Sequence, residues 1–182
     1  MKRSQLEHII RASADIADDD EIVVVGSQSI LGQFPSAPDD LLVSVEADVY
    51  PRNHPERWEL IDGSIGELSP FHETFGYYAQ GVDPGTAVLP SGWEERVFIL
   101  SNANTRGAKG LCIDVHDLAI SKYAAARPKD YDYIRTAIRH GMLDEQTLRQ
   151  RLEAAHVSPE RRRIIEARIG ADFSQPRRDD GG

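Results

Sequence analysis

Apolar and polar positions change period several times along the chain, and each change marks an element. Leu6, Ile9, Ile10 and the stretch from Ser13 to Ile16 recur at helical spacing, which predicts an amphipathic helix over about 4–17. Asp18-Asp19-Asp20 breaks it. Glu21 to Val25 follows as a short apolar run of strand length, stopping at Gly26-Ser27. Ser29 to Gly32 reads as a helical turn, closed by its glycine and by Pro35 and Pro38. Leu41 to Val49 predicts a second strand halted by Pro51, and Pro55 opens a helix from Glu56 to about Ile65.

Beyond Pro70, FGYYAQGV and Glu95 to Leu100 both have strand character. The DPG and PSG turn signals between them suggest that the two runs form an antiparallel pair. Leu111 to Ile113 is another short strand. Asp117, in N-cap position, opens the helical DLAISKYAAA; a further helix runs from Tyr131 to about His140 and closes at Gly141. Two more helices start behind Asp144 and Ser158. Strands mixed with helices, then consecutive helices, predict an α/β (α+β) fold: a mixed sheet flanked by helices, followed by a helical subdomain. The expected divisions are a core over 1–115, a helical subdomain over 116–172, and a disordered polar tail over 173–182 containing Arg177-Arg178.

Composition narrows the function. A chain of 182 residues, 40% hydrophobic and 28% charged, is an ordinary globular protein rather than a disordered one. No apolar run is long enough to span a bilayer, and the N-terminal stretch lacks the unbroken apolar core of a secretory signal, so a cytoplasmic location is expected. The single cysteine, Cys112, reads as a small buried hydrophobe. A net charge of −9 argues against generic, charge-driven nucleic-acid binding, and Arg161-Arg162-Arg163 reads as a solvated helix face. His72, His116 and His140 lack zinc spacing, and Trp58 and Trp93 read as packing residues.

The chemistry concentrates in residues 22–50. Side chains on a strand alternate faces, so Glu46 and Asp48 point one way while Val45, Ala47 and Val49 point the other. Two like charges on one face repel. A divalent cation resolves that repulsion, and Mg²⁺ is usually held by one or two carboxylates together with substrate phosphates. Gly26 and Ser27 can present backbone N–H groups and a hydroxyl to those phosphates. A solvated polar face, with charge discouraging edge pairing, accounts for the same alternation.

Taken together, Gly26-Ser27, the Glu46/Asp48 pair in SVEADVYP, Lys122 in HDLAISK, Lys129-Asp130, and the phrases SPFHETFGYYAQGV and LPSGW are similar to a known pattern. The chain resembles the AbiEii-like and toxin-type bacterial nucleotidyltransferases of the polymerase-beta-like superfamily, over about 22–152. The resemblance implies transfer of a nucleoside monophosphate from an NTP to an acceptor such as a tRNA 3′ end, in some relatives by a toxin encoded beside an antitoxin. It implies that Glu46 and Asp48 hold Mg²⁺ or Mn²⁺, that Gly26 and Ser27 contact phosphates, and that Lys122 neutralises the triphosphate. Asp130, or alternatively Asp114, is then the third acid, as base or as support. Two departures stand out: Glu46 occupies a position where Asp is usual, and the spacing from Ser27 to Glu46 is long. A non-catalytic protein that retains the fold and binds nucleotide, or a partner, is the rival expectation.

Overall fold

A computed structural model of the protein describes residues 1–174. These residues divide into two compact units, Met1–Ala87 with Glu94–Asp114, and Val88–Trp93 with Val115 onward. Of the expected tail, Phe173 and Ser174 close the last helix; the remainder, with Arg177-Arg178, lies outside the described residues.

The first unit is built on a five-stranded sheet in the order β3-β2-β1-β5-β4. Helix α1 (Arg3–Ala17) buries Leu6, Ile9, Ile10, Ala14 and Ala17, the stripe its spacing predicts, and ends where Asp18 turns left-handed at φ 49°. Strand β1 (Glu21–Val24) is central, which is why its residues from Ile22 onward are buried without alternation. Strand β2 (Glu46–Pro51) runs antiparallel to it, with Val24 opposite Val49. Strand β3 (Tyr78–Gly81) lies parallel to β2, pairing Tyr78 with Glu46 and Gln80 with Asp48. On the other side, β5 (Lys109–Cys112) is parallel to β1, and β4 (Phe98–Leu100) is antiparallel to β5.

Three expectations need correction. The second strand begins at Glu46 rather than Leu41, because its partners define it: β3 starts opposite Glu46, and the last β1-side hydrogen bond is from Val25 N–H to the Asp48 carbonyl. Residues Asp39–Leu41 form a 3₁₀ turn instead. FGYYAQGV and ERVFIL do not pair with each other; β3 and β4 are opposite edges of the sheet. The Pro70 region also holds a helix, α4 (Pro70–Phe75), that the strand reading overlooked. Its signals were present: Ser69 caps it by accepting the His72 N–H, Pro70 takes the first helical position, and Gly76 ends it at φ 73°. Between β1 and β2 lies α2 (Ile30–Gln33); before α4 comes α3 (Trp58–Ile65), whose backbone packs against Gly81.

The second unit contains α5 (Val115–Ala125), α6 (Pro128–Arg139), α7 (Glu145–Glu153) and α8 (Pro159–Ser174). Residues 88–93, expected in the core, group here because the Ser91 N–H donates to the Ala154 carbonyl and its hydroxyl meets His156 Nε2 at 3.0 Å. Arg161 and Arg162 are not merely solvated. Arg161 donates to the Ala124 carbonyl, and Arg162 to the carbonyls of Leu152 and Ala155, closing the C-terminal ends of α5 and α7.

Candidate active site

Strand β1 ends at a turn that keeps close company with β2. Gly26 has φ −87° and ψ −171°, an extended conformation open to any residue, so conformational freedom does not explain the glycine. Space does. A Cβ at position 26 would lie 1.8 Å from Asp48 Oδ2 and 2.7 Å from its Cγ. The Asp48 carboxylate therefore rests against the glycine backbone. Ser27 opens a 3₁₀ turn through Ser29 that runs directly into α2, with Ser29 N–H returning to the Gly26 carbonyl at 3.0 Å.

On β2, Glu46 and Asp48 are half-buried while Ala47 and Val49 are fully buried, the alternation expected of one face turned to the core. Glu46 does not swing freely. The Tyr78 hydroxyl, directly across from it on β3, donates to Glu46 Oε2 at 2.9 Å. Burial of the Tyr78 ring, that hydrogen bond, and the charges of Glu46, Glu67 and Asp48 push the phenol well above the ordinary tyrosine range, so it stays a proton donor. Past β5, Asp114 is buried near the same end of the sheet, since Ile113 N–H bonds to the Val24 carbonyl.

Lys122 and Asp130 are brought together within the second unit. Lys122 Nζ lies 3.3 Å from Asp130 Oδ1 and 4.3 Å from the Tyr133 ring centroid. Arg127 grips the same carboxylate through Nε at 2.7 Å and a second nitrogen at 3.2 Å. Burial works to raise the Asp130 pKa, but the Arg127 hydrogen bond and the Lys122 charge outweigh it and hold the carboxyl below its usual range. Asp130 thus caps no helix end. Asp117 is not a cap either: it lies inside the first turn of α5, its side chain fully buried and ion-paired to Arg151 at 3.2 Å. His116 Nε2 accepts the Asp144 N–H, a structural role, and Asp144 itself caps α7 as expected. Cys112 is fully buried, with burial pushing its thiol up to about 12.

Residues 4–174 match the profile of a protein family described as nucleotidyltransferase of unknown function (DUF6036). The chain belongs to this family. No curated protein and no solved structure matches it. Nucleotidyl transfer is thus the general chemistry against which the site of this family member is read.

The acids of this nucleotidyltransferase-family chain fit a hard divalent cation. They offer carboxylate oxygens on one strand face, beside a position where only glycine leaves room for Asp48. Among the described residues, no group of three or more His, Cys, Asp or Glu side chains converges as a complete metal cage. Such a pair suits an ion whose remaining ligands come from substrate oxygens and water. Sequence reasoning missed Tyr78 as the partner of Glu46, and missed Glu67 and His72 as neighbours of Tyr78. Tyr78 was visible only as part of a strand; its register against Glu46 comes from the parallel pairing, which no local pattern encodes.

Proposed function

We propose that the protein is a metal-dependent nucleotidyltransferase that moves a nucleoside monophosphate from an NTP to an acceptor hydroxyl. The acceptor hydroxyl gives up its proton to a carboxylate base, its oxygen bonds to the α-phosphorus, the bond to the bridging oxygen breaks with its electron pair, and pyrophosphate leaves. The observation that carries this reading is the Asp48 carboxylate seated against Gly26 with Glu46 on the same strand face. Glu46 and Asp48 would hold Mg²⁺ or Mn²⁺, which supplies charge neutralisation on the phosphates and alignment of the attacking hydroxyl.

The chain's own residues do the rest. Gly26 and Ser27 head a turn whose N–H groups and hydroxyl suit phosphate oxygens. Lys122 is the proposed phosphate-neutralising cation, acting as a point charge on α5. Asp130 is better suited to orienting Lys122 than to taking a proton, because two cations hold it ionised and make it a weak base. Asp114 is the better candidate for a third acid, since it belongs to the unit that carries Glu46 and Asp48.

The finer identity rests on the resemblance to AbiEii-like and toxin-type enzymes: a cytoplasmic enzyme acting on a tRNA 3′ end or another RNA, with a cognate antitoxin as partner. Among the described residues, no helix is long and apolar enough to cross a membrane. The test is incubation of the protein with Mg²⁺, each labelled NTP, and total tRNA or cell lysate. Label transfer that disappears in Asp48→Ala is the expected result. Mg²⁺-dependent NTP binding without transfer to any acceptor would replace the enzyme by a nucleotide-binding protein on the same fold. Absence of NTP binding altogether would remove the site.

A further inference from the structure

We propose that Tyr78 is a positioning residue for Glu46, and that α4 with the loop before it forms the buttress holding Tyr78 in place; this rests on the metal-binding reading of Glu46 and Asp48. Glutamate has one more rotatable bond than aspartate, so a glutamate in a metal site loses more freedom when it engages the ion. The cost falls if the side chain is already held. Here the restraint is visible: the phenol of Tyr78 donates to Glu46 Oε2 at 2.9 Å from the neighbouring strand, in direct register.

The phenol is itself fixed. Tyr78 is buried, and its backbone N–H bonds to the Val45 carbonyl, one residue before Glu46. The His72 ring lies against the Tyr78 ring with centroids 4.6 Å apart. His72 Nδ1 accepts the Leu68 N–H at 3.1 Å, which fixes the orientation of the ring. Leu68 sits at φ 61°, a left-handed conformation costly for leucine and held by this bond and by the cap at Ser69. A continuous set of contacts therefore runs from the Leu68 backbone through His72 and Tyr78 to Glu46. On the opposite side of β3, Tyr77 uses its hydroxyl on His8 Nδ1 at 2.7 Å. The two adjacent tyrosines thus provide a matched pair, one bonded to a site acid and one not.

The experiment reads Mn²⁺ binding by electron paramagnetic resonance in the presence of a nonhydrolysable NTP, alongside thermal unfolding, so it does not depend on turnover. Tyr78→Phe keeps the ring and removes the hydroxyl. The expected result is a rise of about tenfold in the Mn²⁺ half-saturation concentration, the scale of losing one hydrogen bond to a charged group. Tyr77→Phe is expected to leave Mn²⁺ binding unchanged. In a Glu46→Asp background, where the shorter side chain no longer reaches the phenol, Tyr78→Phe should cost nothing further. Wild-type affinity in Tyr78→Phe, or an equal loss in both backgrounds, overturns the role given to Tyr78 while leaving the cation site standing. Should the wild-type protein bind no Mn²⁺ with nucleotide, the cation site and the role of Tyr78 fall together.

Discussion

Asp48 and Gly26 are two residues whose identities are set by each other. The carboxylate occupies the volume that any side chain at position 26 would need, and the overlap is with its terminal oxygen and with Cγ. Gly26→Ala leaves the backbone at ease, since φ −87° and ψ −171° are open to alanine. It must push the Asp48 carboxylate aside by more than an ångström. Misplacement on that scale costs about 10²-fold in rate when the displaced group aligns a reacting centre. We expect Gly26→Ala to lower single-turnover nucleotidyl transfer by about that factor with a melting temperature close to wild type. Transfer at the wild-type rate would mean that Asp48 does not align the reaction. At this scale the placement of the candidate residues was legible in the sequence: the strand, the Gly-Ser, and two acids one residue apart are local patterns, and strand alternation alone places both acids on one face. What was not legible is what holds them. Tyr78 contacts Glu46 across 32 positions of sequence, and only the sheet register brings them together.

At the scale of elements, the helices other than α4 were readable and the strand pairings were not. Helix α1 follows its apolar stripe, and α7 follows its cap, because both signals lie within a few residues. The partners of β3 and β4 are chosen by sheet order, and the turn signals between the two runs misled because they serve 3₁₀ turns at Pro84–Thr86 and Trp93–Arg96 rather than a hairpin. The corner between α5 and α6 shows a second kind of long-range choice. Asp130 lies in the first turn of α6, and its buried carboxylate ties Lys122 of α5 to Arg127 at the start of α6. Asp130→Asn removes the counter-charge from a lysine that is only 13% exposed, and we expect it to destabilise the helical unit by about 2 kcal/mol. The figure stays below that of a fully buried pair because Arg127 is 59% exposed and remains hydrated. The pH dependence follows from the direction of the shift. The folded pKa of Asp130 is depressed, so its contribution is present above the unfolded value near pH 4 and is lost as pH falls through the lower folded value. Urea midpoints measured from neutral pH downward should fall more steeply below about pH 4 for wild type than for Asp130→Asn, narrowing the gap between them. Parallel curves would remove Asp130 as the source.

The whole molecule divides its charge unequally. Residues 1–87 and 94–114 contain 19 Asp and Glu against 8 Lys and Arg, whereas 88–93 and 115–174 contain 9 against 11. The unit that carries Glu46 and Asp48 is therefore strongly anionic, and a polyphosphate or an RNA end would approach it against an unfavourable field. The divalent cation proposed at the two carboxylates would offset that field locally without making the surface generally attractive to nucleic acid. Several cations of the second unit are also committed internally, Arg161 and Arg162 to helix-end carbonyls and Arg135 to Asp172. Few phosphate contacts are then available to release counterions on binding. An RNA acceptor should accordingly bind weakly in the absence of Mg²⁺, with log K against log salt falling at a slope of roughly −3 or shallower. Electrophoretic mobility shifts of total tRNA over a salt series, with and without Mg²⁺ and a nonhydrolysable NTP, measure this directly. The expected pattern is binding that depends on both additions and is lost in Asp48→Ala. Tight, Mg²⁺-independent binding with a steep salt slope would show that an electropositive surface, rather than the cation at Glu46 and Asp48, recruits the acceptor.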